Sequence, residues 1–184
     1  MKRWVLLLAI STACAWSQTL DLSCLDKLAS KAKDANEVNL DPNQIRAAMQ
    51  FIPHEEKDSA ELDQGTRKLI AGLQLVTVRN FEFEKAGEFL DSDLQPIRAQ
   101  LAKLKGWGKI VDSKEKDEHS EVYMFTEDGK PTGIAVIDVE PKELSVVLVK
   151  GTSSLADIGK LHGMMGLPNI KIGSQLKSPP KNNR

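Results

Sequence analysis

The sequence predicts an α+β domain, an antiparallel β-meander sheet of about five to six strands with helices packed mainly on one face. Three observations predict it. Between Trp107 and Lys150, four runs rich in β-branched and aromatic residues are separated by short polar turns at residues 114–118, 127–130 and 140–143, and turns this short join only antiparallel neighbours. An additional alternating run, LQLVTVRNFEFE, precedes them. Helical and strand patterns segregate along the chain instead of alternating as crossover units, which disfavours a doubly wound parallel sheet.

Residues 1–17 read as a signal peptide. Lys2 and Arg3 supply positive charge, Trp4 to Ile10 an apolar core too short to span a bilayer, and Ser11 to Ser17 small residues. Cleavage is expected after Ser17 or Ala15. Lipidation at Cys14 would require Ile10-Ser11-Thr12-Ala13 to act as a lipobox, and Ser11 stands where such boxes usually carry leucine, so a free, exported form is expected. The single α+β domain is placed at residues 18–170 and a polar, disordered tail at 171–184.

Within the domain, Leu22, Leu25, Leu28, Ala29 and Ala32 recur at helical spacing, predicting a helix to about Lys33. Residues 36–40 could form a short edge strand. Asp41 followed by Pro42 reads as a helix cap with proline in the first turn, and Ile45, Ala48, Met49 and Ile52 form that helix's apolar face up to Pro53. A third helical pattern carries Leu62, Leu69, Ile70 and Leu73 and ends near Gly72. The alternating strand runs from about Gln74 to Glu84. The next helix starts at Ser92 or Asp93, with Gln95 placed for a capping box and Leu94, Ile97, Leu101 and Leu104 on one face. After Trp107 come the four meander strands. The last two, GIAVIDV and LSVVLV, are apolar on both faces and should be interior strands covered on both sides or strands in a very hydrophobic central position. A final helix carries Leu155, Ile158, Leu161 and Met165 to Gly166, and Pro168 closes the fold.

Composition narrows the function classes. Loss of Lys2 and Arg3 with the leader leaves 23 of the 25 basic residues against 26 acidic ones, a balance without the clustered basic face that nucleic acid demands. Cys24 would then be the sole cysteine of the mature domain, so an intramolecular disulfide is excluded. At 41% hydrophobic residues the chain can stabilise itself through its core alone.

No convergent set of reactive residues emerges, and no catalytic, cofactor-binding or metal-ligating residue is assigned. His54 to Asp58, HEEKD, resembles half of a zincin helix with Asp58 where a second histidine belongs. It would serve a metal-dependent hydrolase through His54, Glu55 and Asp58, but it follows Pro53 without apolar periodicity and reads more simply as an acidic loop. His119 lies in a charged hairpin and His162 among apolar neighbours on a helix. Cys24 fits a packed structural thiol, with an intermolecular disulfide or redox chemistry as the other reading. The acidic run Glu82, Glu84, Glu88, Asp91 and Asp93 lacks the ligand spacing of a calcium loop. Gly106 and Gly108 would let the chain turn tightly about Trp107. Phosphate-loop, dinucleotide-binding and serine-elbow motifs do not occur.

The stretches LDKLASKAKDANEVNLD, VRNFEFEKAGEF, LKGWGKIV and EVYMFTEDGKPTGIAVIDVEPKELSVVLVKG resemble, in order, those of an exported bacterial family, the domain of unknown function number four-two-five-two. The resemblance covers about Leu22 to Ile170 and carries no catalytic motif. It implies an envelope location, in some members through a lipid anchor, and gene neighbours that include extracytoplasmic sigma and anti-sigma factors. The poor box around Cys14 departs from the lipid-anchored members. Together these readings favour a non-enzymatic binding or structural module of the envelope, periplasmic or extracellular, that engages a protein or small ligand and has no transmembrane segment.

Overall fold

Residues 20–50 and 64–151, the part of the chain that the computed structural model describes, build one six-stranded antiparallel sheet in the order β1-β2-β6-β5-β4-β3. The four-strand meander is present: β3 (Trp107–Glu115), β4 (Glu118–Glu127), β5 (Lys130–Val139) and β6 (Glu143–Gly151). Its turns fall where the polar breaks stand. Asp128 and Gly129 both take positive φ, 50° and 75°, the backbone a two-residue hairpin requires. The earlier alternating run forms β2 (Leu73–Glu82), which pairs with β6 in register Val76↔Val149, Val78↔Val147 and Phe81↔Leu144. The stretch after the first helix is an edge strand, β1 (Asp34–Leu40), longer than expected by two residues.

Alternation then sorts side chains into two cores. Tyr123, Ala135, Ile137, Leu144, Val146 and Leu148 point to one face, where they meet Leu25, Leu28, Leu94, Ile97 and Leu101. Val76, Val78, Val122, Ile134, Val136, Val147 and Val149 point to the other and meet Ile45, Leu69 and Ile70. Successive residues Val146 and Val147 thus lie in different cores, and both are fully buried. The helices, expected mainly on one face, divide between the two. β5 and β6 are apolar on both sides, and leaving either side wet would forfeit about 25 cal/mol for every Å² of apolar surface.

On the first face lie a 3-10 turn (Ser23–Leu25) running into α1 (Asp26–Ala29), and another (Asp91–Leu94) running into α4 (Gln95–Lys103). The first helix is shorter than its apolar spacing predicts, because the Lys33 N–H donates to the Glu82 carbonyl at 2.7 Å and the chain is drawn into the sheet. The expected start of the next helix at Ser92 or Asp93 falls inside the 3-10 turn, where the Asp93 carboxylate accepts from the Leu90 N–H at 2.9 Å. The second face carries α2 (Pro42–Gln50) and α3 (Gln64–Ala71). Asp41 caps α2 as predicted: its Oδ1 accepts from the N–H groups of Asn43 and Gln44 at 2.7 and 2.8 Å, and Gln44 Oε1 accepts from the Asp41 N–H at 2.8 Å. Leu73, assigned to the third helix, instead opens β2.

No helix among the described residues is long and apolar enough to cross a membrane. The leader and its Cys14, the Met49, Ile52 and Leu62 side chains, the His54–Asp58 segment, the terminal helix with His162, and the tail from Lys171 lie outside the described residues.

Candidate binding groove

A groove of about 450 Å³ runs between α4 and β3, lined by Gln95, Arg98, Ala99 and Ala102 from the helix and by Trp107, Gly108 and Lys109 from the strand, with Tyr123 beneath. Local sequence builds it. Ile97 and Leu101 turn one stripe of α4 into the core, leaving the neighbouring stripe, positions 95, 98, 99 and 102, to face β3. At the tight turn between them Gly106 sits at φ +93°, and a Cβ there would lie 2.7 Å from the Phe125 ring. Trp107 pairs with Phe125 across β3 and β4, ring centroids 5.3 Å apart. Gly108 faces open space, so the groove is not filled from the strand side.

A buried ion network holds the two walls together. Glu121 on β4, 1% exposed, accepts from Arg98 Nε at 2.5 Å and from Lys109 Nζ, and the Tyr123 hydroxyl donates to it at 3.2 Å. Lys109 Nζ also donates to Asp112 Oδ2 at 2.9 Å, and His119 Nε2 lies 2.9 Å from Asp112 Oδ1. The register between β3 and β4 shifts between Lys109 and Val111, and this bulge at Ile110 brings Lys109 and Asp112, three apart, onto the face that carries Glu121. Arg98 Nη2 lies 2.8 Å from Asp91 Oδ1, a Coulombic contact, although its angle does not make a hydrogen bond.

These contacts decide the protonation states. Burial alone would raise the Glu121 pKa, yet the hydrogen bonds from Lys109 and Arg98 outweigh it and hold the carboxyl below the usual range. Burial would lower the Lys109 pKa, and its bonds to Glu121 and Asp112 reverse that and raise it. The hydrogen bonds from Lys109 and His119 press Asp112 down to about 2. A general acid or base works best with a pKa near the operating pH, and these contacts drive Glu121, Lys109 and Asp112 away from it. Asp112, His119 and Glu121 also place their donor atoms within 4.8 Å of one another, a spacing suited to a metal, but the Lys109 ammonium already bridges the two carboxylates as their cation.

The residues considered from sequence are dispersed. In the acidic run, Glu82 pairs with Lys33 at 2.7 Å, Glu88 accepts from the Glu84 and Lys85 N–H groups, Asp91 meets Arg98, and Asp93 pairs with Lys27 at 2.6 Å. Cys24 is partly buried against the first core, and desolvation raises its thiol pKa. Trp107 anchors as expected, and its buried indole Nε1–H has no hydrogen-bond acceptor among the described residues. The Arg98–Glu121–Lys109 network was not singled out. Its one signal is parity: Glu121 shares a strand face with Tyr123, so a charge there turns inward and demands counter-ions, which spacing alone does not name.

Fold and groove together define an α+β domain built on an open antiparallel sheet with a groove at one edge. The family model described as Domain of unknown function (DUF4252) matches residues 30–161, a span that contains all six strands, and the chain belongs to that family. No curated protein and no solved structure matches the chain.

Proposed function

We propose that the chain is an exported envelope protein whose domain is a non-enzymatic binding module. The leader-like first seventeen residues support export. The observation that carries the binding reading is the groove between α4 and β3: an apolar and aromatic cleft beside an edge strand, with its charged side chains already matched to one another. Such a cleft offers contact area and backbone hydrogen bonds without a side chain tuned for proton transfer. A link to envelope sensing fits this reading, because a sensor needs a partner surface and not a reaction.

Affinity capture from an envelope extract, with the tagged chain expressed in its own export pathway, tests it. The expected result is a saturable partner that is lost when Ala99→Trp or Ala102→Trp fills the groove. Absence of any specific partner, together with turnover of a substrate, would overturn the reading. The metal-dependent alternative through His54, Glu55 and Asp58 is decided by elemental analysis of the purified chain, in which a stoichiometric transition metal would favour it.

A further inference from the structure

The geometry points to a specific occupant: an extended acidic peptide segment of a partner protein, paired along the outer edge of β3 as a seventh strand, its side chains entering the α4 groove. The inference rests on the binding-module reading and names the partner's chemistry and seat.

Three observations converge. β3 ends the sheet, so one side of Trp107–Glu115 pairs with β4 and the other has no strand partner among the described residues. An extended peptide can satisfy such an edge through main-chain hydrogen bonds while alternate side chains fill an adjoining cleft. Here the cleft runs beside that strand, with Ala99, Ala102 and Gly108 leaving room against the Trp107 ring. The third observation is charge. Residues 95–111 hold Arg98, Lys103, Lys105 and Lys109 and no acidic residue, in a chain with 25 basic and 26 acidic residues in all.

Arg98 and Lys109 are neutralised within the groove by Glu121, Asp91 and Asp112. Lys103 and Lys105, exposed where α4 returns to β3, form no ion pair among the described residues and are the cations a partner's carboxylates would meet.

The test is amide hydrogen exchange by mass spectrometry on the full chain, with a blocked peptide as long as β3 that alternates valine and glutamate. A valine–lysine peptide serves as control. The acidic peptide should slow exchange across residues 107–115, and the double reversal Lys103→Glu with Lys105→Glu should weaken its binding by roughly tenfold. Both lysines are exposed, so the variant's circular dichroism should match the wild type. No protection at 107–115, protection mapped elsewhere, or affinity unchanged in the variant overturns the proposal. Protection that rises with protein concentration alone overturns it in favour of a second copy. If the peptide fails while envelope capture still yields a partner seated elsewhere, only this assignment falls and the binding-module reading survives.

Discussion

Glu121 is the residue on which the α4 side of the molecule turns. A buried carboxylate between two cations is held in place by the partners it would strand on leaving. Glu121→Gln should therefore destabilise the domain by about 3 kcal/mol in urea titration. Replacing Arg98, Lys109 and Glu121 together with methionine should cost markedly less, because no buried uncompensated charge remains and the carboxylates that lose a cation, Asp91 and Asp112, are exposed. Equal losses in the two variants would refute the ion-network account. The pH dependence has a definite sign. Asp112 titrates at about 2 in the folded chain, below the roughly 3.9 of an unfolded aspartate, so its contribution is present above about pH 4 and disappears as the pH falls toward 2. Glu121 is depressed in the same sense, whereas Lys109, raised by the same contacts, loses its contribution only as alkaline pH passes through its folded pKa. Urea midpoints measured from pH 5 to pH 2 should fall less steeply in Asp112→Asn than in the wild type. Cys24, its thiol pKa raised by desolvation, should alkylate several-fold more slowly at pH 8 in the folded chain than in urea. This network was the least legible part of the sequence. Parity put Glu121 inside, but its partners come from α4, twenty-three residues earlier, and from β3 across a bulge, and neither contact leaves a local pattern.

Among the elements, the β-hairpins were the most legible and the helix ends the least. Polar breaks flanking two-sided apolar runs leave little freedom for β4, β5 and β6, and Asp128-Gly129 states its own turn. Gly129→Ala places a side chain at positive φ and should cost about 1 kcal/mol, lowering the melting temperature by roughly 4 °C in calorimetry. An unchanged melting temperature would mean the turn is not of this type. The first helix ends early because a long-range bond, Lys33 to Glu82, outcompetes one more helical turn. Leu73 moved from helix to strand for a related reason: its partner is Gly151, at the far end of the described chain. Such outcomes are set by neighbours distant in sequence, which a local window of apolar spacing does not contain.

At the scale of the whole molecule, the described residues form a sheet covered on both faces at β5 and β6 and ending in two edge strands, β1 and β3. The two-sided apolar character of β5 and β6 pointed to cover on both faces, whereas helices mainly on one face was the expectation that the two cores correct. The order β1-β2-β6 required the structure, since nothing local says which edge of a meander an earlier strand will join. If the chain is exported as its first residues indicate, the intact mass of the processed protein should begin at Gln18 or Trp16. A retained Met1, or a lipid mass on Cys14, would contradict that. The central claim is that β3 presents an open edge beside the α4 groove, and residue-resolved amide exchange of the unliganded chain tests it most directly. The account predicts slow exchange throughout β2, β5 and β6, and fast exchange at alternate β3 amides, those facing away from β4. Alternate β3 amides as protected as those of β6 would show that edge to be covered and would contradict it.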